Sequence, residues 1–319
     1  MRDSLLALCN SYIANRDLIE KHSISEDQEI NAICAAQLTG CRINISGEKL
    51  EETKKIMHAG PKLLTEFRSD AYMAMLVGLA SMEDPAKELD QVARIFDILK
   101  TKFPPSSYLV LGSMILNQLS KRENIKERML KAKDYYFEMH IDHPYLTNAE
   151  DHIMAMLLTY SDKEKVQIFS DTEAGYGQLR IRIKGVNNEC VQSASQVLAL
   201  GSDPVGDADR VARILELLWK AGRKYGKNHE LGLLAVLALS DRREQDIVSD
   251  IIEVDDFLEQ QKGYSLLDHD RTSRLLHAAM LTCADLTTPL GVKAGEQSGG
   301  ISAMLTTQFV MTGFIFRLF

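Results

Sequence analysis

Three histidines and three carboxylates crowd one stretch of the chain: His140, Asp142, His143, Glu150, Asp151 and His152. Two histidines at i and i+3 on a helix, with a third ligand nearby, can hold zinc. Pro144 works against that arrangement. The residue before a proline is pushed out of the α region, so His143 is expected beyond the end of the helix that carries His140. "TNAE", Thr147 to Glu150, reads as a capping box that opens the next helix. "HPYLT" then becomes a turn between units, with Tyr145 and Leu146 plugging the core, and no metal ligand is assigned.

A second group is acidic. Asp255, Asp256 and Glu259 spell DDxxE, the pattern with which isoprenoid synthases hold a magnesium diphosphate. That chemistry needs carboxylates converging from facing helices on one cation. Here the motif stands alone, without a second acidic motif or a basic diphosphate clamp. Ile247, Ile251, Val254 and Leu258 form the buried stripe of the same helix, which leaves Asp246, Asp250, Glu253 and Asp256 largely outside, on a solvated face.

Other reactive groups give no better start. A GxSxG elbow, a phosphate-cradling glycine loop and an HExxH pair are all missing from the sequence. Cys34 and Cys190 lie on apolar faces, as core thiols do. The catalytic residues stay unknown, and no cofactor is assigned. The five cysteines are odd in number and scattered, which fits neither a disulfide framework nor paired zinc knuckles. Reduced thiols in a cytoplasmic protein are the simplest reading. The amino-terminal apolar run is too short for a secretory signal. A net charge of −8 without dense basic runs argues against nucleic acid, whose phosphates demand a basic face.

The elements that would position these groups repeat. "LASMEDPAKELDQVARIFDIL" from Leu79 and "LALGSDPVGDADRVARILELL" from Leu198 lie 119 residues apart and match without a gap. Further anchors stand at Lys121, Asp162 and Asp241, so that 84, 121, 162, 203 and 241 are spaced by 37, 41, 41 and 38. "INAICAAQLTG" adds an earlier copy, with Leu38 facing Leu79. Each unit reads as two helices. Cys190, Val191, Ala194, Val197 and Leu198 form one apolar stripe of helical period, and Val211, Ile214, Leu215 and Leu218 form the next. Between them Asp203–Pro204, like Asp84–Pro85, supplies a cap and a first-turn proline. Gly222 and Gly263 stand where left-handed C-caps would end second helices.

First helices such as "AYMAMLVGLA", "DHIMAMLL" and "ELGLLAVLALS" are rich in small residues, as an inner layer would be. Second helices carry charge on one face, as an outer layer would. A unit of about 40 residues cannot bury its own apolar face and must stack on its neighbours. The fold expected is therefore all-α: about seven stacked helix pairs over residues 1–289, as an α-solenoid or a closed α/α toroid. The tract 170–187 fits least well. Phe169, Thr172, Tyr176, Leu179 and Ile183 keep a helical phase, but "QLRIRIKG" alternates like a strand, and a kink or break is expected near Gly175–Gly177. Residues 290–300 read as a glycine-rich loop, and 301–319 as an apolar helix that either docks on the last repeat or anchors in a membrane.

"DHPYLTNAEDHIMAMLL", "NHELGLLAVLALSD", "IIEVDDFLEQQKGYS" and "RLLHAAMLTCADL" resemble, in sequence and in order, stretches of the bacterial domain-of-unknown-function family 4003. The resemblance runs from about residue 1 to 289. It implies a soluble helical protein of low-GC Gram-positive bacteria, without an activity to carry over.

The function expected is non-enzymatic: binding of a peptide or protein partner in the concave surface of the array. One alternative is an enzyme with a pocket between first helices near 140–152. Another is a membrane-associated adaptor held by 301–319. Met73, Met75, Met82, Met154 and Met156 either fill core gaps or make an adaptable surface. Trp219 either covers a joint between units or is an exposed anchor.

Overall fold

The computed structural model describes residues 1–22, 28–40, 42–60, 71–119, 125–149, 151–224, 230–264 and 271–291. Among these the chain forms fourteen α-helices and no strand. Seven outer helices alternate with seven inner ones. The outer set is α1 (Asp3–His22), α3 (Gly47–Ala59), α5 (Pro85–Leu99), α7 (Ile125–Asp142), α9 (Lys165–Arg182), α11 (Pro204–Lys220) and α13 (Glu244–Glu259). The inner set is α2 (Gln28–Gly40), α4 (Ala71–Ala80), α6 (Ser107–Leu119), α8 (Asp151–Leu158), α10 (Asn188–Leu198), α12 (Glu230–Ala238) and α14 (Arg271–Gly291).

The two layers follow from side-chain distribution. Every residue of α8 and α12 is buried, which small and aliphatic side chains permit on all sides of a helix. In α5 burial is confined to one stripe, Pro85, Leu89, Val92, Ile95, Phe96 and Leu99, and α11 repeats it with Pro204, Ala208, Val211, Leu215 and Leu218. The two Asp-Pro pairs open α5 and α11 as capped starts. Asp84 accepts from the Lys87 backbone N–H at 3.1 Å, and Asp203 from that of Gly206 at 3.0 Å. Gly222 and Gly263 adopt φ of +77° and +84°, the left-handed turn expected after α11 and α13. Asp162 and Asp241 do not cap: α9 and α13 begin after Glu164 and Arg243, without a side-chain cap bond.

Each outer helix packs on the inner helix that follows it, giving seven pairs. The last pair meets the first. α14 lies against α1 and α2 as well as α12 and α13, so the array closes into a toroid. Around the inner ring, neighbouring helices pack closely, α8 and α10 the most loosely. A buried side-chain bond ties that joint, with Gln196 donating to Asp151 Oδ1 at 3.3 Å.

One device recurs in these pairs. The last carbonyls of an inner helix lack intrahelical partners and form the negative end of its dipole. A cation from the outer partner, or from the turn that leads into it, covers them. Arg128 donates to Thr159 O at 2.6 Å, and Lys163 to Ala199 O at 2.8 Å and to Gly201 O. Arg210 donates to Ala238 O, to Ser240 O at 2.6 Å and to Arg242 O.

Two expectations need correction. No break occurs near Gly175–Gly177, because α9 runs unbroken to Arg182. Packing outweighs the glycine penalty there: Gly175 is buried, and a Cβ on it would meet α10 and the start of α11 at 3.6–3.7 Å. Isoleucines 181 and 183 alternate because the helix ends between them, leaving Ile181 exposed and Ile183 buried. α14 also extends to Gly291, two residues into the tract read as loop. The readings of Lys121, of the rest of 290–300 and of 301–319 lie outside the described residues.

Arg210→Ala should destabilise the protein by about 2 kcal/mol, since it strips several charge-assisted bonds from part-buried carbonyls at and after the end of α12. Arg213, which shares Glu244 with Arg210 but is 47% exposed, should cost less than about 1 kcal/mol when replaced by alanine. Urea unfolding of the two variants checks the difference.

Candidate functional site

The histidine and carboxylate group does not converge. His140 and Asp142 point to solvent from the end of α7, and His143 lies past that end, as Pro144 requires. His143 Nε2 meets Glu173 Oε1 of α9 at 2.7 Å. Glu150 is outside the described residues. His152 is fully buried between the rings of Phe103 and Tyr136, with centroids 4.9 and 4.6 Å away, and neither ring nitrogen has a hydrogen-bond partner. No cluster of three metal-ligating side chains occurs among the described residues.

The cap of α8 is also displaced by one residue. Asp151 reaches back to accept from the Asn148 N–H at 2.9 Å, while the Thr147 hydroxyl donates to Met139 O at 2.9 Å. Thr147 is spent on the end of α7, so the box passes to Asn148 and Asp151. Tyr145 is 96% exposed, so it does not plug the core. The turn after α7 carries it outward, and Leu146 is only half-buried.

The acidic helix departs from its expected solvated face. Asp255 is completely buried between two arginines, with Arg274 Nε at 2.7 Å and Arg223 Nε at 2.8 Å. Asp250 is buried too, 2.7 Å from Arg2 and 2.6 Å from Arg242. Periodicity misplaced it because α13 is covered on a second side by the start of the chain. Asp256, exposed, pairs with Arg223, and Glu259 with Arg274 at 2.9 Å. DDxxE therefore spends its carboxylates on protein cations, Arg223 from the turn after α11 and Arg274 of α14.

A further polar chain has no sequence signature. The hydroxyls of Tyr12 and Tyr264 share a 2.6 Å hydrogen bond, and Tyr264 Oη lies 2.8 Å from His277 Nδ1. His277 Nε2 is 3.4 Å from Glu29 Oε2. The guanidinium of Arg16 covers the Tyr264 ring at 5.4 Å. These residues come from α1, α2, the turn after α13 and α14, so the chain spans the place where the ring closes. Burial pushes both tyrosines above their ordinary pKa, so they act as neutral hydrogen-bonding groups.

Cys34 and Cys190 are buried, and burial pushes the Cys34 thiol up, far from an activated nucleophile. Met73, Met75, Met154 and Met156 lie in the core, Met82 is half-buried, and Trp219 packs half-buried against the core.

The outer surface carries a feature that sequence reasoning passed over. Leu130, Phe137 and Ile141 of α7 are 61, 59 and 56% exposed, and their spacing of seven and four aligns them on one face. Tyr145 follows in the turn. Val166, 78% exposed, lies beside Lys165, which reaches across to Asp134 at 3.1 Å and Glu138 at 2.9 Å on α7. The signal was available as apolar residues at 130, 137 and 141, out of phase with the core stripe Met129, Ala132, Tyr135 and Met139.

Burial raises Asp151 to about 6 and lowers His152 to about 4. The two respond oppositely to pH. Neutral Asp151 is favoured in the fold, so its contribution rises as pH falls from 6 towards the ordinary 3.8. Neutral His152 is favoured as well, so its contribution is complete above 6.5 and falls away towards 4. Each amounts to about 3 kcal/mol over its window. Relative to wild type, Asp151→Asn should be more favourable at pH 8 than at pH 4, and His152→Leu more favourable at pH 4 than at pH 8. Urea unfolding at the two pH values reads both differences.

No curated protein and no solved structure matches the chain. The profile of the family described as "Protein of unknown function (DUF4003)" matches residues 16–297, and no helix among the described residues is long and apolar enough to cross a membrane. With most of its length covered by that profile, the chain belongs to the DUF4003 family.

Proposed function

We propose that this protein acts by binding another polypeptide chain on the outer face of the ring, at α7. The observation that carries the reading is the aligned stripe of Leu130, Phe137 and Ile141, with Tyr145 beyond it. Single exposed apolar residues are ordinary, as Leu6, Ile98 and Val205 are here, but a run of them on one helix face marks a contact surface. Anchors at i, i+7 and i+11 suit a helix or an extended segment laid along α7. The inner layer, where a concave groove was expected, is occupied instead: α8 and α12 are buried around their whole circumference. Partner binding therefore shifts to the convex side.

A photo-crosslinking phenylalanine analogue at position 137 tests this in cells, with the same analogue at exposed Lys220 of α11 as control. The expected result is a discrete adduct at 137 that is absent at 220 and lost when Leu130→Asp is added. Equal labelling at both positions would count against the reading.

A further inference from the structure

Charge is divided across the α7 stripe, one sign to each flank. With about 3.6 residues per turn, Lys126, Lys133 and His140 fall on one side of Leu130 and Phe137, and Glu127, Asp134 and Glu138 on the other. The acidic flank faces α9 and is largely answered there, since Lys165 reaches Asp134 at 3.1 Å and Glu138 at 2.9 Å. Lys131, on the same side, lies over the Tyr135 ring at 5.4 Å. The basic flank faces α5. Tyr136, between that flank and the core stripe, meets Phe103, just past the end of α5, with ring centroids 5.7 Å apart. Lys126 and Lys133 are exposed and have no ion pair among the described residues, and the same holds for Lys102, beside Phe103, and for Arg94 of α5. The repeat shows what is missing. Arg213, the copy of Arg94, pairs at 2.9 Å with Glu244, the first residue of α13, whereas α7 opens on Ile125.

An apolar row with unanswered cations along one edge is complementary to an apolar row with carboxylates along the facing edge. We infer that the α7 face takes an acidic amphipathic helix of another protein. Its apolar residues cover Leu130, Phe137 and Ile141, and its carboxylates run beside Lys126 and Lys133, with Arg94 and Lys102 adding to the same positive field. A helix keeps an apolar and an acidic row on adjacent faces along its whole length, as α7 keeps its own two rows. An anionic bilayer would cover both flanks and press Glu127, Asp134 and Glu138 against its head groups, which a helix lying towards the α5 side avoids. The assignment rests on the reading of α7 as a docking surface and names the chemistry of its occupant.

A phage-displayed library of random peptides, about 16 residues or roughly four helical turns long, selected on the full chain tests it. The peptides kept by the wild type and lost with Leu130→Asp are the ones that read α7. They should carry apolar residues at helical spacing with Asp or Glu in a row beside them. Lys126→Glu combined with Lys133→Glu, both at exposed positions, should weaken their binding by about tenfold with unchanged helical circular dichroism, as loss of two interfacial ion pairs does. Glu127→Lys, on the other flank, should not weaken it. Leu130-dependent peptides that are neutral or basic, or whose affinity ignores the lysine reversal, would overturn the acidic partner while leaving the docking face intact. Absence of any Leu130-dependent peptide would sink both readings. The full chain should stay in solution when phosphatidylglycerol vesicles are sedimented; co-sedimentation that is lost with the same two lysines would give the face to a bilayer instead.

Discussion

An inner helix such as α12, "ELGLLAVLA", has no polar side to turn to water. Burying each of its leucines is worth about 2 kcal/mol, and that gain exists only when neighbours cover every face. The outer partner covers one side, and the flanking inner helices cover two more. In an open array the first and last units would each leave such a side bare, and polar capping repeats would be needed. Here the difficulty is removed by closure, with α14 seated on α1 and α2. The contact between the two ends of the array is what every other unit depends on.

The closure is specified by polar groups as well as by apolar area. Arg2 reaches Asp250 of α13 and Asp285 of α14, each at 2.7 Å. Tyr12, Tyr264, His277 and Glu29 run through the interior of the same joint. Buried polar groups cost free energy unless each finds its partner, so this joint tolerates few registers. Apolar stripes alone would let α14 slide along α2. The hydrogen-bonded chain ties one residue of each element to one position. The cations that cover inner-helix carbonyls do similar work inside three pairs, fixing how far α8, α10 and α12 project beyond their outer partners.

Local order was readable where the cause is local. Asp84–Pro85 and Asp203–Pro204 announce helix starts, Gly222 and Gly263 announce ends, and small residues separate inner from outer helices. Even the glycine-bearing α9 kept its helical phase. Local patterns do not choose between solenoid and toroid, because none of them states that Asp285 will meet Arg2. The same distance hid the burial of Asp250 and Asp255, whose arginines come from positions 2, 223, 242 and 274. At the candidate site the failure was of another kind. The exposed residues of α7 are plain hydrophobes that no reactive-group motif marks, informative only through their phase against the core stripe. Tyr145 lies in a turn, which can carry such a side chain either way.

The closed ring ties distant units to one joint, and native-state hydrogen exchange tests that dependence most directly. Tyr264→Phe loosens the joint by removing the hydroxyl between Tyr12 and His277. In a closed ring the amides of α6 and α8, on the far side, should lose as much protection as those of α1 and α14. If the loss stops at α1, α2, α13 and α14 while α6 and α8 keep their wild-type exchange, the units stand independently and closure is not what stabilises them.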